Sequence, residues 1–83
     1  MPNDCNEVLA ATLQVAKTVT LGERFQASRV RDHLGLPPEQ GHNEPIRECW
    51  RQNRDWLKSR GLILEEEVKP QLSWWYLVKE SHI

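Results

Sequence analysis

Long apolar runs are missing from this sequence. None approaches the roughly 20 residues that a membrane-spanning helix needs, and the opening letters MPNDCNEV hold no basic segment followed by an apolar block. We therefore expect neither a membrane span nor a secretory signal. The 83 residues, 39% hydrophobic and 28% charged, are typical of one folded domain covering 1–83, and we expect it to be cytoplasmic.

Catalytic and metal-binding motifs are also missing. The sequence has no glycine-rich phosphate loop, no nucleophile elbow and no paired carboxylates with a plausible pocket. Its histidines and cysteines form neither CxxC nor HxxxH. We expect no enzyme activity, cofactor, metal or small-molecule substrate. Cys5 and Cys49 are predicted to be free thiols in a reducing compartment, because nothing in the spacing argues for pairing.

A strong net charge is missing too, since the total is −1. The charge is unevenly distributed, however, with eight Lys or Arg against five Asp or Glu over 24–60. The two flanking segments are acidic. This asymmetry is modest beside the basic footprint of many nucleic-acid binders.

The apolar spacing predicts three helices followed by a hairpin. Leu9, Leu13 and Ala16 recur at helical intervals, and Phe25 lies in a short extended piece between the first two helices. Gly61 is placed to end the third helix, and the strand formers after it are interrupted near Pro70. The predicted ranges are about 5–17, 27–34 and 45–60 for the helices and 62–79 for the hairpin.

The third helix carries two different stripes. One stripe is cationic, and its members are Arg47, Arg51, Arg54 and Lys58. The other is largely apolar, and its members are Ile46, Cys49, Trp50, Asn53, Trp56 and Leu57. A plain alternative for the cations is a solvated face whose charge is absorbed by Glu44, Glu48 and Asp55 at i+3 or i+4 spacing. Asn53 is then either a buried amide bonded to backbone or an edge position open to water.

The aromatic residues divide in the same way. Trp50 and Trp56 are predicted to lie in the core. Trp74, Trp75 and Tyr76 cannot all face inward, because strand neighbours alternate. Either Trp75 faces the core and both Trp74 and Tyr76 face solvent, or the reverse holds. An exposed aromatic there indicates an interface, or else a side chain lying over the sheet edge.

Three stretches together resemble the winged helix-turn-helix fold. They are FQASRVRDHLGL from Phe25, WLKSRGLI from Trp56, and the closing WYLV from Trp75. The resemblance covers nearly the whole chain and implies an α+β domain with three helices and a C-terminal β-hairpin wing. Its motifs are patterns of apolar residues and glycines, so they indicate a fold better than a function.

The resemblance implies double-stranded DNA as the partner, with the third helix in the major groove. The chain would be a transcriptional regulator or the DNA-targeting part of a larger DNA-processing system. His42 and Asn43 would lie nearest the base edges. The cationic stripe would face the DNA, and Arg29 and Arg31 would contact phosphates. A homodimer is a natural way for such a module to read two half-sites.

Two features depart from that family pattern. The turn GLPPEQGHNEP is longer than the tight turn of the motif, and Glu65, Glu66 and Glu67 make the first wing strand acidic, with only Lys69 basic at its tip. Phosphates favour the opposite charge there. The alternative function is a protein-interaction module whose interface includes Glu65, Glu67, Trp74 and Tyr76.

Overall fold

The computed structural model describes residues 5–38, 40–70 and 73–82, so the ends of the predicted 1–83 domain and part of the hairpin loop lie outside the described residues. Within them the chain has four α-helices, a short 3₁₀ turn and three strands. In order they are α1 (Cys5–Lys17), β1 (Arg24–Gln26), α2 (Ala27–His33), the 3₁₀ turn (Gln40–His42), α3 (Asn43–Gln52), α4 (Arg54–Ser59), β2 (Leu62–Val68) and β3 (Ser73–Lys79).

The three strands form one antiparallel sheet in the order β1-β3-β2. Phe25 and Leu64 both lie opposite Leu77, so these three side chains share the face that is buried. Trp75 is partly buried on that face and packs against the core, whereas Trp74 is 39% exposed. The alternation left open by the sequence is thereby decided, with Trp75 inward.

The core lies between the helices and the inner face of the sheet. Trp50 is fully buried, stands edge-on to Phe25, and donates its indole N–H to the Thr12 hydroxyl at 3.0 Å. Thr12 in turn donates to the Val8 carbonyl at 2.7 Å. Lys79 is buried at the edge of this core, and its ammonium group donates to the Val19 carbonyl at 2.9 Å. Each of these buried polar groups therefore has a partner.

The prediction of free thiols is wrong. Cys5 and Cys49 form a disulfide that joins the first turn of α1 to α3 across a sequence separation of 44. The spacing could not reveal this pairing, because only the packing of α1 on α3 brings the two Cα atoms to 5.6 Å. The cysteines therefore no longer support a reducing compartment, and the cytoplasmic location stays a prediction.

The predicted third helix of 45–60 is two helices in the structure. It begins at Asn43 and is interrupted at Asn53, which has φ −121° and ψ 31°. The Asn53 side-chain amide donates to the Cys49 carbonyl at 2.8 Å, the same oxygen that its backbone N–H reaches at 3.1 Å. Such competition between side chain and backbone is typical of asparagine and disfavours a continuous helix. The long cationic stripe is divided at this point.

The α+β class is confirmed, as a small domain with helices on one side of an antiparallel sheet. Gly61 has φ +83°, and a Cβ there would meet Ser81 Oγ, so a glycine is required where α4 turns into β2. No helix within the described ranges is long and apolar enough to cross a bilayer.

Candidate nucleic-acid interface

A groove of about 660 Å³ opens between α2, the start of α3 and the hairpin. Its charged residues are Arg31, Glu44, Arg47 and Arg51. Its other side chains that can contact a ligand include Gln26, Ser28, Trp74 and Trp75. We call this feature the arginine groove. It forms because β1 pairs only with residues 76–78 of β3, so the wall formed by Trp74 and Trp75 extends past the end of β1.

The two arginines from α3 are held by carboxylates on the same helix. Glu44 accepts a hydrogen bond from Arg47 at 3.0 Å and another from Arg51 at 2.5 Å, and Glu48 accepts from Arg51 at 2.7 Å. The bond from Arg51, and then that from Arg47, lowers the pKa of Glu44. The Arg51 pKa is raised, first by its bond to Glu48. Both arginines are therefore already paired with carboxylates in the free protein.

Arg51 also faces an aromatic ring. Its guanidinium carbon lies 5.4 Å from the centroid of Trp75, close enough for a cation–π contact. Arg47 and Arg51 keep 27% and 28% of their side-chain surface exposed. They lie along the groove wall and do not project freely into solvent, which differs from a fully solvated helix face.

The predicted base-reading residues at the start of α3 are engaged within the protein. Asn43 is buried, and its side-chain oxygen accepts a hydrogen bond from Arg31 at 3.2 Å. His42 places Nδ1 3.1 Å from the Pro37 carbonyl. These contacts fix the long turn before α3 and position Arg31, whose side chain is 13% exposed, beside the groove.

Three other predicted DNA-contact residues lie outside the arginine groove. Arg54, beyond the break at Asn53, donates to the Leu64 carbonyl of β2 at 3.1 Å. Lys58 is exposed on α4, and Arg29 is exposed on α2. The tertiary structure therefore brings Arg31, Arg47 and Arg51 together and separates the remaining cations from them.

The outer face of the sheet holds the candidate protein-interface residues Glu65, Glu67, Trp74 and Tyr76. The Tyr76 hydroxyl donates to Glu65 at 3.2 Å, and the Tyr76 ring lies 4.7 Å beneath the Arg24 guanidinium. Glu67 forms ion pairs with Arg24 at 3.7 Å and Lys69 at 3.8 Å. Part of the acidic charge of β2 is thus neutralised locally. Trp74 lies on the same outer face, opposite Glu67, and it also borders the arginine groove at the end of the hairpin.

The groove contains residues that the sequence analysis did not assign to a site. They are Gln26, which follows Phe25 directly, Ser28, which lies three residues after Phe25, and Trp75, which was considered only for burial. The strand-to-helix junction after Phe25 carried the only available signal, because polar side chains at such a junction have no place in the core. Within the part of the chain that is described, no cluster of three or more His, Cys, Asp or Glu side chains could hold a metal ion.

Comparison of the chain with protein-family models, with curated proteins and with solved structures gives no match. The functional assignment therefore depends on the geometry of the chain itself.

Proposed function

We propose that this chain is a winged helix-turn-helix module that binds double-stranded DNA through the face around the arginine groove. The observation that carries the proposal is the convergence of Arg31, Arg47 and Arg51, from two helices, on one concave surface beside the hairpin. Guanidinium groups bind phosphate oxygens in pairs of parallel hydrogen bonds. Counterion release makes such contacts the main source of DNA affinity.

The arrangement of elements supports the same proposal. A strand precedes α2 and pairs with the returning strand of the hairpin, and α3 follows a turn after α2. α3 and the hairpin lie on either side of the arginine groove. This supports the proposal that they act as the recognition helix and the wing on a duplex. A regulatory role or a targeting role in a DNA-processing system are both compatible with this geometry.

The experiment is fluorescence anisotropy of a labelled random-sequence duplex, titrated at low and at near-physiological salt. We expect affinity in the micromolar range or weaker that falls steeply as salt rises. Arg47→Ala and Arg51→Ala should weaken binding, whereas Arg60→Ala should not, because Arg60 lies over Trp56 outside the groove. Absence of binding at low salt, or equal losses in all three variants, would contradict the proposal.

One observation favours a second function, in protein interaction. Val68 is 74% exposed at the tip of β2, and β2 is an edge strand of the sheet. An exposed edge strand with an apolar side chain is a surface on which another chain can pair as an additional strand. On this hypothesis Val68→Ser should reduce self-association or partner binding, measured by sedimentation velocity over a range of concentrations, and leave duplex binding unchanged.

A further inference from the structure

We propose that the arginine groove holds one unpaired nucleotide of a DNA strand, with its base stacked on Trp74 and its phosphate bound by Arg47 and Arg51. This inference rests on the proposed DNA-binding function and specifies the form of DNA that the site prefers.

The charge of the groove selects an anion. Its lining carries three arginines against one carboxylate, Glu44. The arginine side chains are only 13% to 28% exposed, and partial burial weakens the screening of their charge by water and salt. Phosphate binding exchanges a Glu44 oxygen for a phosphate oxygen at guanidinium groups that are already side by side. Arg47 and Arg51 are therefore paired with a carboxylate in the free protein and with a phosphate in the complex.

The exposed indole of Trp74 selects a planar group next to that anion. Trp74 is the large aromatic side chain with the greatest exposure among the described residues. The Trp75 ring is covered by Arg51, so Trp74 provides the aromatic surface that a ligand can use. Stacking on such a ring stabilises the bound strand and tolerates any base, because every base has a π face.

The other residues that line the groove fit a nucleotide better than a simple inorganic anion, because they can also contact a base. Gln26 is exposed at the end of β1 and Ser28 is half-buried in the first turn of α2, and they offer an amide and a hydroxyl to the edge of a base. The groove volume of about 660 Å³ lies within the range of about 300–1,000 Å³ typical of small-molecule sites. A base inside an intact duplex has both faces covered by its neighbours, so only an unstacked one can reach Trp74.

The test compares two labelled duplexes of one sequence, fully paired and with a single-nucleotide bulge, by fluorescence anisotropy at fixed salt. We expect the bulged duplex to bind about tenfold more tightly, corresponding to one added stacking contact. A 2-aminopurine at the bulge should lose fluorescence on binding, because it stacks on an indole. Thymidine monophosphate, added as a competitor, should not displace the strand at equal concentration.

The variants separate stacking from charge. Trp74→Ala should abolish the preference for the bulge, whereas Tyr76→Ala should keep it, because Tyr76 does not line the groove and its ring is covered by Arg24. Arg47→Ala should weaken both duplexes. Circular dichroism and thermal unfolding check that each variant folds.

Three results overturn the inference, and they differ from one another. Equal affinity for the two duplexes would contradict the binding of an unpaired nucleotide and would leave the proposed DNA-binding function intact. If neither duplex binds at low salt, both this inference and the proposed DNA-binding function are contradicted. Efficient displacement by thymidine monophosphate assigns the groove to a free nucleotide and not to a strand.

Discussion

The α1–α3 junction and the arginine groove both use α3, but they are held by different kinds of interaction. The junction consists of the disulfide between Cys5 and Cys49 and of the buried bond from Trp50 to Thr12. The groove is held by ion pairs between half-exposed side chains. A covalent bond and a buried ring cannot exchange with a ligand, whereas ion pairs can. One side of the same helix is therefore built for stability, and the other can rearrange on binding.

The largest effect is expected from removing the ring at the junction. Trp50→Ala should lower the free energy of unfolding by about 3–5 kcal/mol, because it leaves a cavity and deprives the Thr12 hydroxyl of its donor. Urea denaturation measures the loss. Trp74→Ala is the matched control, and since Trp74 is 39% exposed its cost should be much smaller. Similar losses for the two tryptophans would contradict the comparison.

Reduction of the disulfide should have the next largest effect. For a sequence separation of 44, chain-entropy arithmetic gives a loss of about 4 kcal/mol, and strain or residual structure usually makes the measured value smaller. Urea denaturation with and without a thiol reductant measures it. A double variant, Cys5→Ser with Cys49→Ser, should be as unstable as the reduced protein and indifferent to reductant. A reductant effect that persists in the double variant would show another cause.

The smallest effect on stability, and the most specific on binding, is expected at Glu44. Glu44→Gln should cost less than about 1 kcal/mol, because the Glu44 side chain is itself 59% exposed. It should nevertheless tighten duplex binding and steepen its salt dependence, since Arg47 and Arg51 no longer have to leave a carboxylate. Glu7→Gln, at an exposed position of α1, removes the same charge away from the groove. Equal gains in both variants would indicate only a change in net charge.

The same residue gives a pH dependence with a defined sign. The bonds from Arg51 and Arg47 lower the pKa of Glu44 in the folded protein. Its stabilising contribution is therefore complete above the pKa of an unfolded glutamate and is lost as pH falls through the lower, folded value. Unfolding free energies measured across the acidic range should show a slightly shallower loss for Glu44→Gln than for the unmodified chain. An identical pH profile would contradict the pairing.

The secondary structure of this chain is largely readable from local patterns. Leu9 and Ala16 on one face of α1 follow from a period of 3.6, and the burial of Phe25 follows from its position in an isolated extended piece. The break at Asn53 was not predicted, because an asparagine tolerates a helix unless its side chain finds a competing carbonyl. That choice depends on the packing of α4 against β2.

The candidate site was predicted only in part. The cations of α3 and Arg31 are visible in the sequence, and so are the possible pairs of Glu44 with Arg47 and of Glu48 with Arg51. The long bond from Arg51 to Glu44 and the cover of Trp75 by Arg51 are not. The bond spans seven residues of α3, beyond the i+3 and i+4 pairs that were considered. The cover of Trp75 requires α3 and the hairpin to meet, and a sequence pattern within one helix holds no information about that meeting.

The sequence by itself therefore determined the α+β class, the positions of most elements and the uneven distribution of charge, since these depend on propensities and periods over neighbouring residues. Only the tertiary structure decided that Cys5 meets Cys49, that Trp75 turns inward while Trp74 stays exposed, and that three arginines share a groove. The physical reason is distance along the chain. Contacts between remote segments are fixed by how whole faces pack together, and no local pattern specifies that packing.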